Sequence, residues 1–138
     1  DASEEALSLA AENAALNGLD GRVEFMKSDW FTNVKGRFEL IVSNPPYLTK
    51  EEWESAEPEV KDYEPYCALV ADNEGLADLE RIMREAPAHL AEGGVLILET
   101  GIAQHPALKA LAEELGYAKA EGFNDLSGRP RVFVATIS

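Results

Sequence analysis

Apolar positions along the chain switch between two spacings. Leu7, Ala10, Ala11 and Ala14 recur at intervals of three and four, one face of a helix over about residues 4–17. Ser3 is placed to cap that helix, and Glu4 and Glu5 suit its positive end. Asn17-Gly18 stops it, with Gly18 suited to a left-handed position after the last turn. The spacing then falls to two: Val23 and Phe25 alternate with Arg22 and Glu24, a strand at about 22–27. Phe38 to Ser43 is mostly apolar and reads as a buried strand running directly into Asn44-Pro45-Pro46-Tyr47. Residues 48–72 are polar, acidic and contain proline, with a short helix expected after Thr49; a connection that long tends to be functional when ordered. Leu76, Leu79, Ile82, Met83 and Leu90 return to helical spacing over about 75–91, where Pro87 should kink or shorten the helix. Gly93-Gly94 turns into the strand Val95-Leu96-Ile97-Leu98. A helix over about 104–115, ended by Gly116, precedes two strands at about 117–122 and 131–137.

This order, α-β-β-α-β-α-β-β, argues for an α/β layered fold. A doubly wound sheet normally opens with a strand and a glycine-rich turn that cradles a cofactor. This chain opens on a helix and has no G-x-G-x-x-G run, so we expect it to begin partway into its fold, with residues 1–138 forming a partial domain.

Bulk properties narrow the function classes. The 138 residues suffice for one core, and 46% apolar content is ordinary for a globular protein. No apolar run approaches a membrane span, and the acidic N-terminus is not a signal peptide. The single cysteine, Cys67, permits no intrachain disulfide, fits a reducing compartment and, by default, a cytoplasmic location, and reads as a packing residue. Twelve basic against 26 acidic residues give a net charge of −14, which weighs against direct binding to nucleic acid, where phosphates need basic partners.

The chemistry lies at Asn44-Pro45-Pro46-Tyr47. A turn after a buried strand sits at that strand's carboxyl end, where open α/β sheets bind ligands. The Asn44 side-chain oxygen can accept one N–H of a planar amide or amine, and the Pro45 carbonyl can accept the other. The two prolines fix φ and hold these acceptors rigidly. Tyr47 offers a flat face to a flat group. Two acceptors would aim a poorly nucleophilic amide nitrogen at an electrophilic methyl group, a task of alignment rather than of general base catalysis. The competing reading is a rigid turn without chemistry.

The motif and its surroundings resemble a known family. NPPY after an apolar strand is similar to the Rossmann-like amino-methyltransferases. SDWF (28–31), FELIVSNPPYL (38–48), YEPYCALVADNEGL (63–76), GGVLILETG (93–101) with Gln104, and DLSGRPRV (125–132) resemble the protein-(glutamine-N5) methyltransferases of peptide-chain release factors, the HemK family. The resemblance covers essentially the whole chain. It implies a class I S-adenosylmethionine-dependent methyltransferase sheet, truncated at its N-terminus, with a C-terminal antiparallel strand pair. It implies S-adenosyl-L-methionine as cofactor and the Gly-Gly-Gln loop of a release factor as substrate. By position, Asp1 matches a carboxylate that holds the cofactor ribose, Asp29 and Trp30 match the adenine-site pair, and Asn44 matches the residue touching both cofactor and substrate. Pro45, Pro46 and Tyr47 match the lining of the glutamine pocket, with Asn44, Pro45 and Tyr47 at the reacting nitrogen. The family's first strand, glycine-rich loop and N-terminal helical domain have no counterpart here, which implies marginal stability or self-association through incomplete sheet edges.

Two other functions stay open at this point. A nucleic-acid methyltransferase would offer the same two acceptors to an exocyclic amine on a flipped base. A truncated fold could instead be inactive or serve as a binding module. Among the remaining residues, Glu99 either lines the site or is a solvated strand end. Glu51, Glu52, Glu54, Glu57 and Glu59 read as a solvated face, or as a contact for a basic partner. His89 and His105 have no metal-ligand spacing, and no metal is expected. Asp125 to Arg131 either positions a substrate or forms a hairpin turn, with Gly128-Arg129-Pro130 as turn residues, and the turn is the favoured reading.

Overall fold

In the computed structural model, which describes all 138 residues, the chain divides into the units Asp1–Gly36 and Arg37–Ser138. The first is built on helix α1 (Glu4–Leu16). Its N-cap is Ser3, whose side chain accepts the Ala6 N–H at 3.2 Å. At the other end Gly18 takes φ +67, and the Leu19 and Gly18 amides return to the Ala14 and Ala15 carbonyls at 2.8 and 3.0 Å, closing the last turn as expected. Of the apolar stripe only Ala14 is buried, and Ala11 is exposed. The strand expected at 22–27 does not form a ladder. Its one rung is to Asp1, whose amino group donates to the Met26 carbonyl at 3.0 Å while its carbonyl accepts the Ser28 N–H at 3.0 Å. That pattern is one step of parallel pairing. A strand is defined by its partner, and Val23, Phe25 and Met26 find none within the unit beyond this rung; all three are exposed.

The second unit carries a four-stranded sheet in the order β1 (Phe38–Ser43), β2 (Leu90–Glu99), β4 (Pro130–Thr136), β3 (Lys119–Asn124). β1 runs parallel to β2, and β4 runs antiparallel to both β2 and β3. The expected Gly93-Gly94 turn sits inside β2, where Leu90 pairs with Phe38 and Val95 already pairs with Leu40. Alternation along β2 then buries Leu96, Leu98 and Thr100 on one face. Phe133 and Ala135 of β4 stand opposite Leu98 and Leu96 on that same face. Helices α6 (Ala77–Glu85) and α7 (His105–Glu114) supply Leu79, Ile82, Met83, Leu108, Leu111 and Ala112 to the same core.

Three departures from the sequence pattern have physical causes. The helix expected over 75–91 ends at Glu85, because Pro87 lies in a short tight turn (Ala86–Ala88) and Leu90 already belongs to β2. The segment 48–72 holds α2 (Lys50–Glu54), α3 (Pro58–Tyr63) and α4 (Tyr66–Leu69), the first closed by a reciprocal cap between Thr49 and Glu52. β1 is an edge strand, paired on one side only, and Phe38, Leu40 and Val42 are exposed rather than buried. Cys67 is also exposed. No helix is long and apolar enough to cross a membrane.

These burials make opposite predictions for two aliphatic strand residues. Leu98→Ala removes a fully buried side chain and should cost about 2–5 kcal/mol in urea unfolding. Val42→Ala, at a position 66% exposed, should change stability by less than about 0.5 kcal/mol. Equal losses at both positions would show that the outer face of β1 is covered in solution.

Candidate active site

Parallel pairing of Ser43 with Leu98 brings the ends of β1 and β2 to the same carboxyl edge of the sheet. Asn44–Tyr47 and Glu99–Gly101 therefore leave the sheet side by side. Every polar atom of Tyr47 is engaged there. Its N–H donates to the Leu69 carbonyl at 3.1 Å, which also accepts the Leu48 N–H at 2.9 Å. Its carbonyl accepts from Gln104 Nε2 at 2.9 Å. Its hydroxyl donates to Glu99 Oε1 at 2.7 Å and accepts from Arg131 Nη1 at 3.2 Å. The Arg131 guanidinium also lies 5.7 Å from the ring centroid. Burial, the Glu99 hydrogen bond and the Glu99 charge push the Tyr47 phenol above its ordinary value, against an opposing pull from Arg131. Tyr47 is thus a fixed neutral ring with its phenol turned inward.

Asn44 is the reverse case. It is exposed, and its side-chain amide makes no hydrogen bond within the chain. Pro45 is buried, yet its carbonyl takes no partner from the chain either. The turn therefore presents two uncommitted acceptors beside an immobilised aromatic ring. That set suits a planar group bearing two N–H hydrogens.

The surroundings explain the rigidity. Leu48 pairs with Val70, and the Ala71 N–H donates to the Leu48 carbonyl at 3.2 Å, tying the turn to the end of α4. Three consecutive residues then take left-handed conformations: Asn73 (φ 54), Glu74 (φ 55) and Gly75 (φ 78). This strained turn, α5 (Asp72–Gly75), packs so closely that a Cβ at Gly75 would overlap the Tyr47 carbonyl. Thr100 Oγ1 meets His105 Nε2 at 2.9 Å, and burial lowers the His105 pKa. The His105 ring occupies the space that a Cβ on Gly122 would need. Asp125 Oδ1 accepts the Ser127 and Arg129 amides at 2.8 and 3.0 Å, so this loop is the hairpin turn that its sequence suggests.

In the first unit the Asp1 rung places the Asp1 carbonyl on the Ser28 amide, next to Asp29 and Trp30. Asp1 is thereby tied to the residue that precedes Asp29 and Trp30. Asp1 Oδ1 accepts the Ser3 N–H at 2.7 Å, so the carboxylate also braces the start of α1. Trp30 is left-handed (φ 49), rare for a bulky residue. Buried Ser28 holds it there, donating its hydroxyl to the Trp30 carbonyl at 2.7 Å and accepting the Asn33 amide at 3.0 Å. Pattern reading left Glu99 open and did not find Gln104 or Arg131 as site residues. Their partners are 52, 57 and 84 residues away, and only the folded sheet joins them.

Known proteins similar to this chain are methyltransferases. The model of the Methyltransferase small domain family matches residues 1–57. The release factor glutamine methyltransferase of Cereibacter sphaeroides is 45% identical over 99% of this chain, which covers 49% of that protein. The ribosomal protein uL3 glutamine methyltransferase of Xanthomonas campestris pv. campestris is 46% identical over 82% of this chain, or 36% of that protein. Among solved structures, the ribosomal protein L11 methylase of Lactobacillus delbrueckii subsp. bulgaricus superposes with a TM-score of 0.69 at 22% identity. It covers all of this chain and 55% of its own, and so shares the fold. The chain spans about half the length of the curated relatives it matches. The chain therefore has the class I methyltransferase fold with an NPPY turn at the carboxyl edge of its sheet, and along almost all of its length it is similar to the release factor glutamine methyltransferases.

Proposed function

We propose that the protein transfers a methyl group from S-adenosyl-L-methionine to the N5 amide nitrogen of a glutamine, in the Gly-Gly-Gln loop of a peptide-chain release factor. The observation that carries this reading is the contrast within one turn: Tyr47 fully engaged, Asn44 and the Pro45 carbonyl uncommitted. A glutamine side chain brings two N–H hydrogens in one plane, which these acceptors match. Pro46 holds their separation, and the Tyr47 ring provides the surface on which the amide plane rests. The cofactor supplies the electrophilic methyl group. Alignment of the nitrogen with it supplies the rate, an effect worth up to about 7–11 kcal/mol in favourable cases.

The residues assigned to the cofactor fit its chemistry. The Asp1 carboxylate spends Oδ1 on Ser3, and Oδ2 makes no bond within the chain, leaving an acceptor for a ribose hydroxyl. The strained Trp30 turn beside Asp29 suits an adenine, which offers a flat face and an amine edge. Asn44, through its side chain, is assigned to both cofactor and substrate. The likeness to a uL3 glutamine methyltransferase supports a second protein substrate with the same amide chemistry. An exocyclic amine of a nucleic acid would fit the two acceptors, but a net charge of −14 opposes a phosphate backbone.

Transfer of labelled methyl to a release factor, to uL3 and to duplex DNA separates these substrates. The release factor should be the best acceptor and the DNA inert; preferential labelling of DNA would reject the protein-glutamine reading. Asn44→Ala should lower turnover on the preferred substrate by about 10²–10³-fold, the scale of removing one positioned polar group at a reacting centre. For the cofactor, calorimetry with S-adenosylhomocysteine should show Asp1→Ala binding about ten-fold or more weaker than wild type, the loss of one charge-assisted hydrogen bond. Unchanged affinity would remove Asp1 from the cofactor site.

A further inference from the structure

We infer that Gln104 is a positioning residue: it sets the placement of the acceptor turn by clamping the Tyr47 carbonyl to two other segments of the chain. This rests on the methyl-acceptor reading of Asn44 and Pro45 and assigns a role to a residue outside the NPPY motif.

Gln104 is 6% exposed and precedes α7. Its side-chain amide is saturated by backbone. Oε1 accepts the Gly101 N–H at 2.7 Å, and Nε2 donates to the Tyr47 carbonyl at 2.9 Å and to the Glu74 carbonyl at 3.3 Å. A primary amide has two N–H donors and one acceptor oxygen, and each has a separate partner here. No other neutral side chain of this length offers that combination. The space around it is cleared by two glycines. A Cβ on Gly75 would stand 2.6 Å from Nε2, and one on Gly101 would stand 3.2 Å from Cδ and Oε1. Left-handed Asn73-Glu74-Gly75 is a conformation that persists only when its surroundings hold it, and the bond from Gln104 to the Glu74 carbonyl does so.

The effect reaches the acceptors along the backbone. Residue 47 is fixed at both ends, its N–H by Leu69 and its carbonyl by Gln104. The Pro46 ring fixes its own φ, so only the Pro46 ψ is left to turn between the Pro45 carbonyl and the anchored Tyr47 peptide. Glu99 and Arg131 hold only the ring of Tyr47; Gln104 is the side chain that holds its peptide.

The test compares Gln104→Leu and Gln104→Glu with Tyr117→Phe. Tyr117 donates to the Met83 carbonyl at 2.8 Å in the core, so its loss is structural alone. Both Gln104 variants should lower kcat on a release factor by about ten- to hundred-fold, the scale of a displacement near 1 Å, with KM for S-adenosylmethionine within about two-fold. Tyr117→Phe should lose stability without that fall in kcat. Lowering the pH should restore part of the activity of Gln104→Glu, because the protonated carboxyl regains a donor for the Tyr47 carbonyl. Gln104→Leu should show no such recovery. A folded Gln104→Leu variant with kcat within two-fold of wild type would overturn the inference. Amide hydrogen exchange supplies an arm independent of catalysis. Protection of the Tyr47 and Leu48 amides should fall in Gln104→Leu and hold in Tyr117→Phe, and unchanged protection in Gln104→Leu would also overturn it. A full-length wild-type protein that methylates no glutamine substrate refutes the functional reading instead, and the exchange result still decides the clamp.

Discussion

In the turn after β1, the requirement that buried polar groups find partners converges on Tyr47. Its amide, carbonyl and hydroxyl each have a partner, drawn from α4, from the residue before α7, and from the ends of β2 and the start of β4. Each such bond is worth only about 0.5–1.5 kcal/mol net, but a buried group left unmade costs about 1–3 kcal/mol. The penalty for a misplaced Tyr47 is therefore larger than the gain from any one contact. The parallel register of β1 and β2 makes the convergence possible, because it delivers the turn and Glu99 to the same edge. The left-handed turn at 73–75 and the glycines at 75 and 101 belong to the same constraint. They give up conformational ease so that backbone can approach backbone.

Periodicity alone located β2, α7 and the closing pair β3 and β4, because each has a partner inside the chain and a helix layer against it. It overreached where the partner is absent. The 22–27 segment has the alternation of a strand but pairs only at Asp1, and β1 has the apolar run of a buried strand but stands at an edge. Periodicity also smoothed over 73–75, since hydrophobic spacing carries no information about the sign of φ. The site divides in the same way. Asn44 to Tyr47 could be read as candidates because four adjacent residues carry the proposed chemistry. Glu99, Gln104 and Arg131 were not, because what each does is defined by a residue more than fifty positions away.

Arginine at 131 performs two tasks from one nitrogen, donating to the Tyr47 hydroxyl and, at 3.1 Å, to the Thr100 carbonyl. A lysine would supply a point charge there without the planar fork that lies over the ring. The nearby Asp125 is 3.8 Å from Arg131 Nε and contributes little as an ion pair at an exposed turn. Its carboxylate is held below the usual range first by the backbone amide of Arg129, with further help from Ser127 and the two arginines. That ordering identifies Asp125 as the residue that shapes the hairpin. Arg131 reaches the site because the hairpin delivers it there.

On the methyl-transfer reading proposed above, the state of the basic groups at this edge bears on how a proton leaves the nitrogen. Glu99 spends Oε1 on the Tyr47 hydroxyl. His105 is held against Thr100, and burial lowers its affinity for a proton. Tyr47 is kept neutral by burial and by Glu99. The two groups that remain uncommitted, the Asn44 side chain and the Pro45 carbonyl, are neutral acceptors. An amide nitrogen loses nucleophilicity to its own carbonyl, and a base of ordinary strength cannot remove its proton beforehand. Once the nitrogen carries a methyl group and a positive charge, its proton is strongly acidic and needs only an oriented acceptor to depart. Neutral acceptors therefore suffice to orient that proton, which departs to water, and no carboxylate base is needed in the turn. On that reading the turn serves alignment first, and its polar chemistry is limited to what alignment leaves undone.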